Sequence, residues 1–165
     1  MCMKNTIKDE QYYFYTDGAT SGNGTENAKG GWAWIRASYE DELISICESG
    51  SGFEDNSTNN RCELLGVINA CEFAQKEGYI PALIYSDSAY VINCYKDKWY
   101  KNWIYNGWVN YKREPVKNRD LWEKLIPFFR NPNFEFSKIK GHNGIIENEL
   151  VDDLARKASI GGTNA

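Results

Sequence analysis

The sequence lacks a long apolar run, and none of its cysteines forms a CxxC pair. It contains only one histidine. No segment approaches the roughly 20 apolar residues of a membrane span, and the first ten residues, MCMKNTIKDE, lack a signal-peptide core. We therefore expect a cytoplasmic protein that does not enter a membrane. The five cysteines are odd in number, so we expect reduced thiols and neither a disulfide framework nor a zinc site.

The chain is long enough for one domain with a sizeable core. It has 165 residues, of which 42% are hydrophobic. We expect a short polar lead over 1–10, a single domain over 11–160 and a flexible tail over 161–165. The net charge of −4 is unevenly distributed, because the segment 96–119 holds seven basic residues against two acidic ones. This segment also holds three of the six tryptophans, and such a surface can grip phosphates and pack against sugars.

Strands precede mixed helices and strands along the chain, which indicates a mixed sheet covered by helices (α/β, with α+β character). Short connections predict that the first three strands form an antiparallel meander. A Gly- and Asn-rich stretch over 18–31 predicts a loop between the first two. Strands are predicted at 12–15, 32–35, 43–47, 82–85 and 134–139. Helices are predicted from 56–60 to 78, from 87 onward, and over 99–105, 118–129 and 147–158.

Four acidic residues lie at or near the ends of these elements. Asp17 follows an aromatic run, and Glu63 lies beside a helix start. Asp87 follows a short apolar run, and an acid at 152 or 153 lies in the last helix. If the fold gathers these side chains, they form a site for divalent metal ions, because carboxylate oxygens suit hard cations.

Each acid also has a purely structural explanation. Asp17 precedes a glycine, as turn residues do, and Glu63 is spaced to be the capping partner of Asn60. Asp87 could cap the following helix. In the last helix, Asp152 and Asp153 fall on opposite flanks of the predicted buried face, so the helical wheel does not choose between them. That face consists of Leu150, Val151, Leu154, Ala155 and Ala158.

Five strings occur in order along nearly the whole chain: YTDGA, TNNRCELLGV, YSDSAYVIN, KGHNG and ENELVDDLAR. From about Tyr12 to Ala158, the set resembles ribonuclease H of the bacterial type 1 family. The resemblance implies a five-stranded mixed sheet in the order 3-2-1-4-5, with the domain over 11–160 as the catalytic domain. It also implies an endonuclease that hydrolyses the RNA strand of RNA/DNA hybrids and leaves 5′-phosphate and 3′-hydroxyl ends.

The resemblance further implies which residues act. By motif position, Asp17, Glu63, Asp87 and Asp152 would hold two Mg²⁺ ions, with Mn²⁺ able to substitute. The family pattern thus selects Asp152 over Asp153, and His142 would assist catalysis. The hybrid would be contacted by Asn23, Thr58, Asn59, Asn60, Trp99, Trp103, Trp108, Lys117 and Asn148.

The chain departs from the family pattern in its basic segment. The usual basic cluster before Gly107 is here Ile104-Tyr105-Asn106, which predicts modest affinity for the hybrid. Two alternative functions remain open on the sequence: a non-catalytic hybrid-binding module, which predicts at least one missing acid, and a related two-metal nuclease acting on DNA. We expect a monomer.

Overall fold

One five-stranded sheet forms the centre of the molecule. The computed structural model describes residues 11–22, 28–139 and 145–161. The strands are β1 (Tyr12–Ser21), β2 (Lys29–Glu40), β3 (Leu43–Asp55), β4 (Ala82–Ser86) and β5 (Phe134–Lys138). They lie in the order β3-β2-β1-β4-β5. Strands β1 to β3 are antiparallel, whereas β4 is parallel to both β1 and β5. The predicted mixed sheet and its strand order are confirmed.

Five helices cover the two faces of this sheet. They are α1 (Asn59–Glu77), α2 (Ala89–Asp97), α3 (Trp99–Asn106), α4 (Arg119–Phe129) and α5 (Ile145–Gly161). Alternate residues of a strand point to opposite faces, so neighbouring residues of β1 join different cores. Phe14 belongs to the larger core, which contains residues of α1, α2 and α4, whereas Tyr15 belongs to the smaller core with Val151 and Ala155 of α5.

The first strand is longer than the sequence predicts. Asp17 and Gly18 were expected to end it, yet they pair with Ala33 and Trp32 of β2, and the pairing continues to Ser21. The predicted loop over 18–31 is therefore wrong at both ends. Ladder hydrogen bonds to a neighbouring strand outweigh the local turn preference of an Asp-Gly pair.

The cysteines divide into two groups. Cys62, Cys71 and Cys94 are free and buried, as expected. Cys47 is disulfide-bonded, so the expectation of reduced thiols is wrong there. A disulfide depends on how closely two chain segments approach in the fold, and no local spacing reveals that.

None of the helices in the described part of the chain is both long and apolar enough to cross a membrane.

Candidate active site

Two glycines allow α1 to approach β1 more closely than side chains would permit. A Cβ on Gly18 would lie 2.5 Å from the backbone carbon of Cys62 and from the backbone nitrogen of Glu63. A Cβ on Gly66, one turn along α1, would lie 3.0 Å from the carbonyl oxygen of Asp17. This close contact places the carboxylate of Glu63 beside that of Asp17.

One backbone amide joins the two carboxylates. The N–H of Gly18 donates to Asp17 Oδ1 at 2.9 Å and to Glu63 Oε1 at 2.5 Å. Within the described residues no basic side chain forms a salt bridge with either acid. The two carboxyl groups are therefore held side by side without a basic partner among those residues.

The environment of the pair makes ionisation costly. Burial raises the pKa of Asp17, and nearby Asp152 raises it further, while hydrogen bonds from Glu63 and the Gly18 amide act in the opposite direction. Burial is also the main cause of the raised pKa of Glu63, followed by the hydrogen bond and charge of Asp17 and, more weakly, the charge of Asp87. Asp152 thus acts on Asp17, and Asp87 acts on Glu63, so each of the two outer acids lies close enough to affect one member of the central pair.

Helix α5 brings Asp152 to this cluster along a face that the sequence does not reveal. Its buried residues are Glu147, Val151, Ala155 and Ser159, spaced four apart, whereas Leu150 of the predicted face is 42% exposed. Glu147 is buried because its carboxylate accepts a hydrogen bond from Tyr39 at 2.5 Å. An apolar stripe could not predict a face that is half polar.

The structure separates the two neighbouring acids of α5. Asp152 and Asp153 have almost equal side-chain exposure, 45% and 46%. Asp152 accepts a hydrogen bond from Arg156 at 3.1 Å and raises the pKa of Asp17, whereas Asp153 pairs with Lys157 at 2.9 Å. Only the first of the two therefore belongs to the acid cluster.

Helix capping does not explain Glu63 or Asp87. The N-cap of α1 is Thr58, whose hydroxyl accepts from the Arg61 amide at 3.2 Å. The N-cap of α2 is Ser88, whose hydroxyl accepts from the Val91 amide, also at 3.2 Å. The structural alternatives for these two acids are thereby removed.

The acid cluster offers oxygen ligands only. Across the described ranges, no three side chains of His, Cys, Asp or Glu are close enough to form a ready-made metal site. Mg²⁺ is usually bound by one or two carboxylates together with waters and substrate phosphates, so the Asp17–Glu63 pair with two further acids nearby fits this ion. His142 lies outside the described residues.

The predicted nucleic-acid contacts at the start of α1 lie close to Glu63 along the helix. Thr58 caps the helix, Asn59 accepts a hydrogen bond from the Thr20 hydroxyl, and Asn60 is exposed. Asn23 falls outside the described residues. Asn148 of α5 has a buried side-chain oxygen that lacks a hydrogen-bond partner among the described residues.

The remaining predicted contacts lie in a protruding segment, which we call the handle (99–118). Its three tryptophans form a series, with ring centroids 6.3 Å apart for Trp99–Trp103 and 5.8 Å apart for Trp103–Trp108. The side chain of Asn106 bonds both the amide and the carbonyl of Val109, which closes a turn. Lys117 is exposed. The three tryptophans are partly buried and pack against the larger core, so only part of each ring is available to a ligand, whereas Lys117 is free of the core.

Sequence reasoning missed Arg61. Arg61 lies two residues before Glu63 on α1. Its guanidinium forms salt bridges with Glu54 of β3 at 2.8 Å and with Asp120 of α4 at 3.0 Å. It thus fixes the first turn of α1 against two other elements. Ion pairs between distant segments leave no local pattern in a sequence, so no signal could have revealed this one.

The chain is similar to known ribonucleases H over most of its length. The RNase H family model matches residues 9–160. The ribonuclease H of Syntrophomonas wolfei is 42% identical over 149 residues, which cover 90% of this chain and 96% of that protein. The solution structure of the PFV RNase H domain superposes with a TM-score of 0.72 at 30% identity and covers 92% of this chain and 96% of that one.

A larger solved structure shares the fold alone. The foamy viral protease-reverse transcriptase in complex with RNA/DNA hybrid matches at a TM-score of 0.76 and 22% identity. The match covers 95% of this chain and 22% of that one.

Proposed function

The chain belongs to the RNase H family and is a ribonuclease H, and we propose that its acid cluster hydrolyses the RNA strand of RNA/DNA hybrids. The products would carry 5′-phosphate and 3′-hydroxyl ends. The observation that carries this proposal is the shared Gly18 amide, which holds the carboxyl groups of Asp17 and Glu63 together while no basic side chain of the described residues forms a salt bridge with either.

We propose that Asp17, Glu63, Asp87 and Asp152 hold two Mg²⁺ ions, for which Mn²⁺ can substitute. When bound, the ions supply an activated water and stabilise the charge on the phosphate and on the leaving 3′-oxygen. The protein contributes orientation, because Asp17 and Glu63 are fixed on β1 and α1 by close backbone packing. His142 would move a proton near neutral pH.

Recognition of the hybrid would use side chains of α1 and α5 close to the acid cluster, together with the handle. Asn60 can both donate to and accept from a 2′-hydroxyl, the group that distinguishes RNA from DNA. The side-chain oxygen of Asn148, which is buried and has no hydrogen-bond partner among the described residues, would accept a hydrogen bond from such a donor. The tryptophans of the handle, with Lys117 beside them, would contact the other part of the duplex. The cytoplasmic location and the monomeric state stay predictions.

The alternatives are less well supported. A binding-only module predicts a missing acid, yet the electrostatic contacts of the cluster involve all four. A nuclease acting on DNA would share the acid cluster, so only the substrate separates it from the proposed enzyme. The choice of duplex is therefore part of the test.

The two acids of α5 provide a matched pair of variants. We expect Asp152→Asn to reduce cleavage of an RNA/DNA hybrid in Mg²⁺ by more than the roughly 10- to 100-fold typical of altered outer-shell metal partners. Asp153→Asn, which removes an exposed partner of Lys157, should retain nearly full activity. The assay also includes DNA/DNA, RNA/RNA and a DNA duplex with one ribonucleotide. Equal activity of the two variants, or faster cleavage of DNA/DNA, would contradict the proposal.

A further inference from the structure

A cavity on α3 lies apart from the handle tryptophans and has a cationic lining. It measures about 600 Å³ and is lined by Tyr95, Lys96, Lys98, Tyr100, Lys101, Phe129 and Arg130. Four of these side chains are cations and none is acidic. Trp99 and Trp103 of the handle instead line a different cavity of about 560 Å³. The basic segment that the sequence predicts as one surface therefore contributes to two.

The cationic cavity lies at the end of the sheet opposite the acid cluster. Helix α2 begins beside Asp87, at the end of β4, and runs back to Lys98. Helix α4 ends at Arg130 shortly before β5 begins, and Phe134 of β5 pairs with Ala82, the first residue of β4. Five strand residues at roughly 3.3 Å each separate the two ends of β4. A ligand in this cavity would not contact the acids.

The four cations of the cavity have no acidic partners. None of them forms a salt bridge within the described chain, whereas Lys29, Arg36 and Arg61 each do. Asp97 is adjacent in sequence but does not line the cavity. A concave surface lined by one sign of charge concentrates ions of the opposite sign. In a chain with a net charge of −4, this local excess of positive charge favours an anion.

The backbone and the rings of the cavity add to this preference. Lys98 is the N-cap residue of α3, and its side chain makes no capping hydrogen bond to the first amides of that helix. The N-terminal amides of a helix favour phosphate. The half-buried ring of Tyr95 and the buried rings of Tyr100 and Phe129 supply an aromatic wall. The guanidinium of Arg130 lies 5.6 Å from the ring centroid of Tyr100. Cations beside aromatic rings bind a phosphate attached to a ring system.

We propose that this cavity binds a phosphorylated nucleoside unit. Its phosphate is held by Lys98, Lys101 and Arg130, and its base or sugar lies beside Tyr95. The unit belongs either to a free mononucleotide or to a single strand, since both present the same chemistry. The proposal does not rest on the catalytic roles of the acids.

The test is a residue-resolved NMR titration of the whole protein in excess chelator, so that no divalent metal recruits the probe to the acid cluster. The probes are adenosine monophosphate, inorganic phosphate and a single strand of eight deoxythymidines. We expect saturable shifts at the amides of 95–101 with the mononucleotide and weaker binding of inorganic phosphate.

A double variant provides the control for position. Lys98 has a φ of 54°, a left-handed conformation that asparagine tolerates, so Lys98→Asn/Lys101→Gln should keep the fold. We expect it to weaken mononucleotide binding about tenfold. Lys76→Gln/Lys124→Gln, which removes the same charge from exposed positions on α1 and α4, should leave binding unchanged.

The outcomes are separable. Tighter binding of the octamer assigns the site to a strand, and equal or weaker binding assigns it to a free nucleotide; both support the proposal. The proposal is overturned by an absence of saturable shifts at 95–101, by equal affinity of the two double variants, or by inorganic phosphate binding as tightly as the mononucleotide. A failure of hybrid cleavage would leave it untouched.

Discussion

The acid cluster and the handle are built in contrasting ways. In the acid cluster, the backbones of β1 and α1 pack so closely that a side chain at Gly18 would clash with α1 and one at Gly66 would crowd the carbonyl oxygen of Asp17. In the handle, side chains carry the structure, through the tryptophan series and the Asn106 turn. Asp17 and Glu63 are partly buried and form no salt bridge within the described residues, whereas the residues at the tip of the handle are exposed.

This difference indicates how each region responds to change. A site held by close backbone packing leaves little room for adjustment, so small alterations there should have large effects. A surface held by side chains and loops tolerates substitutions, so each substitution there should change function only slightly. Four predictions test this comparison, beginning with the one of largest effect.

Asp17→Asn should abolish measurable hydrolysis of the hybrid while leaving hybrid binding intact. The substitution is nearly isosteric, but it removes a charged metal ligand. We expect the rate to fall by more than about 100-fold, beyond the effect of altering an outer-shell partner. Single-turnover cleavage in Mg²⁺, with binding measured separately, checks this. Substantial residual cleavage would show that Asp17 does not hold the metal.

The same variant should change the pH dependence of stability without metal. The folded protein holds the protons of Asp17 and Glu63 more tightly than the unfolded chain, because burial raises both pKa values. The stability that these two acids contribute is fully present below roughly pH 4, where both are also protonated in the unfolded chain. It should decline as the pH rises above that value and be lost as the pH passes the raised pKa values of the folded protein. Asp17→Asn should make this decline shallower, which thermal unfolding in chelator would measure. A steeper decline would contradict the assignment.

Gly18→Ala should destabilise the protein by about 3 kcal/mol, because the added methyl group would meet the backbone of Cys62 and Glu63 at 2.5 Å. The forced shift of α1 should also reduce activity, since it moves Glu63 away from Asp17. Gly161→Ala is the control, because its added methyl group would meet nothing within 4 Å. Denaturant unfolding of both variants tests the point, and similar stabilities would show that the close approach is not required.

The smallest effect is expected at the tip of the handle. Asn106 is left unchanged because its side chain holds a turn through hydrogen bonds to Val109. Ile104 and Tyr105 are 45% and 94% exposed, so lysine can replace them without loss of packing. Ile104→Lys/Tyr105→Lys should lower KM and leave kcat nearly unchanged, since uniform binding does not accelerate chemistry. Each new phosphate contact should steepen the dependence of log affinity on log salt by about 0.7 to 0.9.

The measurement for this variant is KM for a hybrid across a series of salt concentrations. Gln75→Lys/Asn93→Lys adds the same charge at exposed positions of α1 and α2 and serves as the control. Equal slopes for the two variants would mean that the tip of the handle does not meet phosphate.

The sequence predicted the elements and their order because each has a clear period or boundary. It did not predict that β1 continues through Asp17 and Gly18, since the pairing with β2 decides that. The polar members of the buried face of α5 also escaped prediction. Glu147 is satisfied by Tyr39, and Ser159 donates to the carbonyl of Arg156, so both can be buried without being apolar.

The resemblance named the acids of the candidate site, but the sequence did not reveal how the fold arranges them. Motif resemblance selected Asp152, and residue spacing alone could not. The amide of Gly18 that joins Asp17 to Glu63 depends on two segments 45 residues apart. In the basic segment, neighbouring residues of α3 face two different cavities, and sequence proximity does not show which face a side chain takes.

The order of the acids along the chain has a consequence for synthesis on the ribosome. A nascent chain that has reached residue 139 contains every strand of the sheet and three of the acids, but not Asp152 on α5. At roughly 5 to 20 residues per second, the ribosome needs a further one to a few seconds to complete that helix. On the proposed role of Asp152, hydrolytic competence should arise only after the sheet has been made, and a chain interrupted before α5 should be inactive.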